Sequence, residues 1–154
     1  MQKLVRILAF VAISLPISVI AADQHVVSQG DRLAWKAGPR ALPAGAEIAF
    51  LVGDPTKEGP YVVRLRFPSG YKIAAHTHPN DENVTVISGT FHIGMGSKLD
   101  ETKGEMLKPG GFAHMPTGMQ HYAWTSQDTI VQLHGIGPSG VIYVNPADDP
   151  RKSN

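Results

Sequence analysis

GYKIAAHTHPNDENVTVISG, residues 70–89, carries two histidines and a glutamate between terminal glycines. It spaces Gly70, His76, His78, Glu82 and Gly89 in a fixed pattern. Two histidines one residue apart lie on the same side of a strand, because strand side chains alternate in direction. Pro79-Asn80-Asp81 has the chemistry of a turn, which brings Glu82 back beside them. Two imidazoles and a carboxylate on one surface can hold a divalent transition metal. A second stretch, GGFAHMPTGMQH at 110–121, offers Gly110, Pro116, Gly118 and a further histidine, His121. We read the two stretches as halves of one metal site.

Outward from this centre the chain reads as short strands separated by turn residues. Glu47–Val52 is apolar and ends at Gly53-Asp54-Pro55. Tyr61–Phe67 alternates, with Tyr61, Val63, Leu65 and Phe67 on one face and Arg64 and Arg66 on the other. Further strands are expected at Ile73–His78, Glu82–Ser88, Thr90–Met95, Phe112–Met115, His121–Ser126, Thr129–Ile136 and Val141–Val144, with Ser97–Lys108 as a charged loop. No segment carries a helical period, and the 16 glycines and 12 prolines punctuate the strands. The pattern predicts an all-β sandwich or barrel, with no internal repeat and no second domain.

Composition narrows the function classes. A chain of 154 residues suggests one domain. Lys3 and Arg6, the apolar run Ile7–Ile20, short for a membrane span, and the small residues Ala21 and Ala22 read as a secretory signal peptide over 1–22, the alternative being an N-terminal membrane anchor if it is not cleaved. Its removal would take two of the 14 basic residues and leave 12 against 13 acids, so no nucleic-acid footprint is expected. The expected location is the periplasm or outside the cell, with no membrane association once the signal is cleaved. With no cysteine, the protein relies on its core rather than on disulfides. Residues 23–46 read as an irregular lead-in anchored by Trp35, 47–144 as the domain, and 145–154 as a charged tail that frays.

The two motifs together resemble the cupin superfamily, whose first motif, G-x5-H-x-H-x3,4-E-x6-G, is filled at every defined place by Gly70, His76, His78, Glu82 and Gly89. The second, G-x5-P-x-G-x2-H-x3-N, is filled by Gly110, Pro116, Gly118 and His121, with Thr125 standing where the family has asparagine. The resemblance covers roughly Glu47 to Val144 and implies a double-stranded β-helix, the jelly-roll barrel. It also implies that His76, His78, Glu82 and His121 are the metal ligands inside the barrel mouth. The chain looks like small exported single-domain cupins, with a lesser likeness to the zinc-binding cupin domain of ChrR-type anti-sigma factors. Fold likeness does not by itself fix function, because cupins host many chemistries.

Read residue by residue, the site leaves several choices open. Three neutral imidazoles and a carboxylate would leave positions free for water or substrate, the arrangement of a catalytic site rather than a closed structural one. The alternative is a set of hydrogen-bonded polar residues lining an empty pocket. The donor set admits iron, manganese, zinc, copper or nickel. Gln132 and His134 share a face of one strand and point either into the pocket or to solvent. His114 is a second pocket candidate, or a satisfied rim histidine. His92 is expected to face away from the core, and Tyr122 and Trp124 to pack between sheets or at a subunit contact. The function expected is a metal-dependent dioxygenase or oxidase acting on a small oxygenated organic molecule. The competing reading is a non-catalytic ligand-binding or sensing module. A homodimer is expected, because small jelly rolls cover exposed edges by pairing.

Overall fold

The computed structural model describes residues 25–152; the expected signal peptide lies outside them. The alternation seen in the sequence becomes two facing antiparallel sheets. Eleven strands form them: β1 (Lys36–Ala37), β2 (Glu47–Val52), β3 (Gly59–Phe67), β4 (Lys72–Thr77), β5 (Glu82–Ser88), β6 (Phe91–Met95), β7 (Glu105–Leu107), β8 (Phe112–Met115), β9 (His121–Thr125), β10 (Thr129–Gly137) and β11 (Ile142–Tyr143). One sheet has the order β1-β2-β3-β10-β5-β8, the other β11-β4-β9-β6-β7. The result is a jelly roll.

The core lies between the sheets. Val63, Leu65 and Phe67 of β3 point inward and are buried, as are Val84 and Val86 of β5 and Phe91 and Ile93 of β6. Phe67 stacks on Tyr71 at 4.9 Å and on Phe91 at 6.3 Å, closing the end of the barrel away from the histidines. The intervening arginines face outward. Arg66 pairs with Glu47 and lies over the Trp35 ring at 4.7 Å, while Arg64 donates to Gln132. Trp35 therefore anchors the lead-in to its own sheet.

Four local expectations need correction. The lead-in is partly regular: β1 pairs with β2, and Leu42 is buried in the core. Ser97–Lys108 contains the edge strand β7, too short to show a period. The tail forms two 3-10 turns, Pro146–Asp148 and Pro150–Lys152, because Asn145 caps Ala147 and Asp149 binds Arg151. Tyr122 and Trp124 do not lie between the sheets. They sit on the outer face of the second sheet, where Leu99 packs on them and the Tyr122 hydroxyl donates to the carbonyls of Asp100 and Lys103. Among the described residues no helix is long and apolar enough to cross a membrane.

Candidate metal centre

His76 points inward because β4 is irregular. Ile73 is opposite Ala123 and His76 opposite His121, so three residues of β4 match two of β9. This bulge moves His76 onto the same inner face as Ile73, which simple alternation would forbid. His78 follows just past the strand end. The next turn is tied down: Asp81 accepts from the Thr117 amide and hydroxyl, both at 2.8 Å, and the Gly118 amide donates to the His78 carbonyl. The two motif loops are thereby locked together. Glu82 opens β5, and His121 opens β9.

The four side chains converge. The ring centroids of His76 and His121 are 4.3 Å apart, those of His76 and His78 4.9 Å, and those of His78 and His121 5.0 Å. Glu82 Oε2 is 3.3 Å from His78 Nε2 and 3.8 Å from His121 Nε2. All three histidines are buried, and each offers one ring nitrogen within 4.8 Å of the others, the spacing of a metal site.

The opposite nitrogens fix the chemistry. His76 Nδ1 donates to the Ala74 carbonyl at 2.8 Å, His78 Nδ1 to Gly140 at 2.6 Å and His121 Nδ1 to Met119 at 3.0 Å. A backbone carbonyl that takes the Nδ1 proton leaves Nε2 as a lone pair and fixes the ring plane, as around bound metals. His78 Nε2 is buried and has no well-aligned hydrogen-bond partner. It faces the Glu82 carboxylate, so in the neutral ring a buried lone pair and an anion meet. A metal ion between them, or a proton on His78, relieves that repulsion. The donor set therefore fits a divalent transition metal.

The protonation pattern has the same origin. Burial, with the neighbouring His121 and His78, pushes His76 down to about 3, and burial also lowers His121. Burial opposes charge on His78, but Glu82 beside it prevails and the imidazole is raised. Burial likewise opposes charge on Glu82, yet the three histidines, His78 foremost, hold it below the usual carboxylate range. Both directions favour an imidazolium at His78 beside an ionised Glu82 when no metal is bound.

The site stands in the wall of a cavity of about 330 Å³. Below it the lining is apolar, from Ile48, Val63 and Ile73 to Val84, Phe91 and Val131. Among the lining residues Pro39, Arg40, Thr56 and Arg151 are exposed, and they mark the opening. Tyr61 and Ser139 also line it, and neither was singled out from the sequence as part of a site. The alternation of β3 did place Tyr61 on the inner face.

Other candidates lie elsewhere. Gln132 and His134 alternate with Val131 and Leu133, which line the cavity, so they face outward; Gln132 accepts from Arg64. His114 is exposed on β8, its Nδ1 at 2.9 Å from Asn83 Oδ1. None of the three reaches the cavity. His92 stacks on Trp124 at 4.8 Å on the outer face. Thr125 does structural work: its hydroxyl donates to the Pro68 carbonyl and accepts from the Tyr71 amide.

A family model for the ChrR cupin-like domain matches residues 23–139. The chain belongs to this family. The matched region includes the lead-in, in keeping with the way Ala41 and Leu42 close this ChrR-like cupin over its cavity. No protein among the curated ones matches its sequence. Among solved structures, the polyketide cyclase RemF from Streptomyces resistomycificus is similar at 14% identity and TM-score 0.68, covering 84% of this chain and 92% of that one. An acetylacetone dioxygenase from Acinetobacter johnsonii is similar at 14% identity and TM-score 0.61, covering 89% and 88%. A chain of the Rhodobacter sphaeroides complex of SigE with the anti-sigma factor ChrR is similar at 18% identity and TM-score 0.51, with 69% of this chain matching 51% of that one. At these identities the likeness concerns the fold.

Proposed function

We propose that this ChrR-like cupin is a metal-dependent enzyme of the dioxygenase or oxidase kind, acting on a small oxygenated organic molecule. The observation that carries the reading is the buried, unpartnered His78 Nε2 facing Glu82, at the mouth of an apolar cavity. His76, His78, Glu82 and His121 would hold one divalent ion. Bound there, iron, manganese, zinc, copper or nickel supplies a Lewis acid, and a redox-active metal also a route for electrons to dioxygen. The protein's own groups do the rest. The three backbone-anchored rings keep their geometry when substrate arrives. The apolar lining excludes water and holds the substrate body. Tyr61, lining the cavity with Ser139, carries a hydroxyl that burial and the nearby Glu82 keep protonated, a donor for an oxygenated ligand.

Protein purified without a histidine tag should contain close to one equivalent of a transition metal by elemental analysis. Dioxygen consumption with a panel of small enols, phenols and diketones should follow that metal content. Protein that retains no metal from a metal-replete preparation would overturn the reading. The match to the ChrR cupin-like domain favours a second reading, a sensing module whose metal holds a ligand without turnover. Stoichiometric metal and tight ligand binding without oxygen uptake or product would support it. We further propose that the protein acts as a homodimer in the periplasm or outside the cell.

A further inference from the structure

We infer that the cavity takes an anionic molecule with an apolar body, an alkyl or aryl carboxylate, whose acid group sits at the opening beside Arg40. The argument rests on how charge is distributed around the lining. Only Arg40, Arg151 and Glu82 carry formal charge among the residues that face the cavity, the histidines being neutral as ligands. Arg151 is already neutralised, its Nε 2.7 Å from Asp149 Oδ1 and its terminal nitrogen 2.8 Å from Oδ2, with a further bond to the Val141 carbonyl. Arg40 is exposed and makes no ion pair among the described residues. Glu82 is absorbed by the histidine cluster.

The positive charge at the opening is thus uncompensated, and the proposed divalent ion adds to it. The inference rests on the proposed metal for this second contribution only. Both lie at one end of the cavity: the Gly140 carbonyl that anchors His78 belongs to a lining residue near the opening. The other end is closed by Phe67, Phe91, Ile73 and Val131, which offer no polar partner. A sugar or nucleotide there would leave its hydroxyls unpaired. A volume of about 330 Å³ is at the small end for ligand pockets, which run from about 300 to 1,000 Å³. An arginine at the head and hydrocarbon at the tail select a compact amphiphilic acid, because guanidinium matches carboxylate in charge and geometry.

The test is calorimetric titration of octanoate and of 1-octanol into zinc-loaded and metal-free protein. Octanoate should bind at least tenfold more tightly than 1-octanol to the zinc-loaded form. Arg40→Glu should weaken octanoate at least tenfold, leave 1-octanol and zinc content unchanged, and be largely rescued by Arg40→Lys. On the metal-free protein octanoate should bind more weakly but keep its dependence on Arg40. Equal affinity for the acid and the alcohol, or Arg40→Glu protein that binds octanoate like wild type, would overturn the inference. A wild-type protein that fails to take zinc would overturn the metal reading instead, and the Arg40 dependence on the metal-free protein would still decide this one.

Discussion

His78 has one ring nitrogen committed to Gly140 and the other facing a carboxylate across 3.3 Å. His78→Ala should therefore abolish stoichiometric metal in elemental analysis while far-UV circular dichroism stays that of a folded barrel, since the ring contributes little to the apolar core. His92→Ala should leave metal content unchanged. It removes the stack on Trp124 and should lower stability by about 0.5–1.5 kcal/mol in urea unfolding. The same cluster dictates acid sensitivity. His76 titrates at 6.5 in the unfolded chain and about 3 in the folded one, so the unfolded state binds its proton first and stability declines as pH falls through that window. His121 and Glu82, both lowered, shift stability in the same direction. His78 opposes them: it is raised, so its contribution is full below 6.5 and is lost as pH rises through its folded value. From pH 6.5 toward 3 the His78 contribution is already full and constant, so the lowered groups decide the sign. The melting temperature of metal-free protein should fall across that window, and bound metal should deepen the fall because protons compete for its ligands.

Among the elements, β9 shows what a sequence pattern hides. Its five residues are all buried, His121, Ala123 and Thr125 facing inward and Tyr122 and Trp124 lying under the 97–104 loop. Alternation predicted the two faces but not the cover, because a polar loop gives no periodic signal. A Cβ at Gly94 on the neighbouring strand would stand 2.3 Å from the Tyr122 ring, so the glycine makes room for it. Gly94→Ala should lose about 1–3 kcal/mol by chemical denaturation. Thr125→Val leaves the Tyr71 amide without its side-chain acceptor and should also lose about 1–3 kcal/mol, with no change in metal content. The four convergent residues were legible because their spacing is rigid and their chemistry rare. The bulge in β4 was not, since it depends on pairing with β9 rather than on the residues of β4 alone. Gln132 and His134 misled because a polar pair in an apolar strand has the same period whichever face it takes. Their direction is set by Val131 and Leu133, which fill the interior.

On the scale of the molecule, the six-stranded sheet has an open edge at β8 and exposes Phe112 and Ile87 on its outer side. The expected dimer should appear as a doubled mass in small-angle scattering, and a monomer at high concentration would refute it without touching the fold. The opening of the cavity is built from distant parts of the chain. The Tyr143 hydroxyl donates to the Ala41 carbonyl across 102 residues, and the Gly140 carbonyl that orients His78 lies 62 residues from it. Closing such long loops is slow and comes late in folding. A metal that needs His78 correctly turned must then arrive after the barrel has closed. Zinc should accordingly leave the refolding rate unchanged in stopped-flow experiments and slow unfolding instead. If the chain is exported unfolded, as the proposed location requires, the order of events carries a cellular meaning: the ion would be drawn from the compartment where folding finishes, and the metal supply of the destination would select the cofactor.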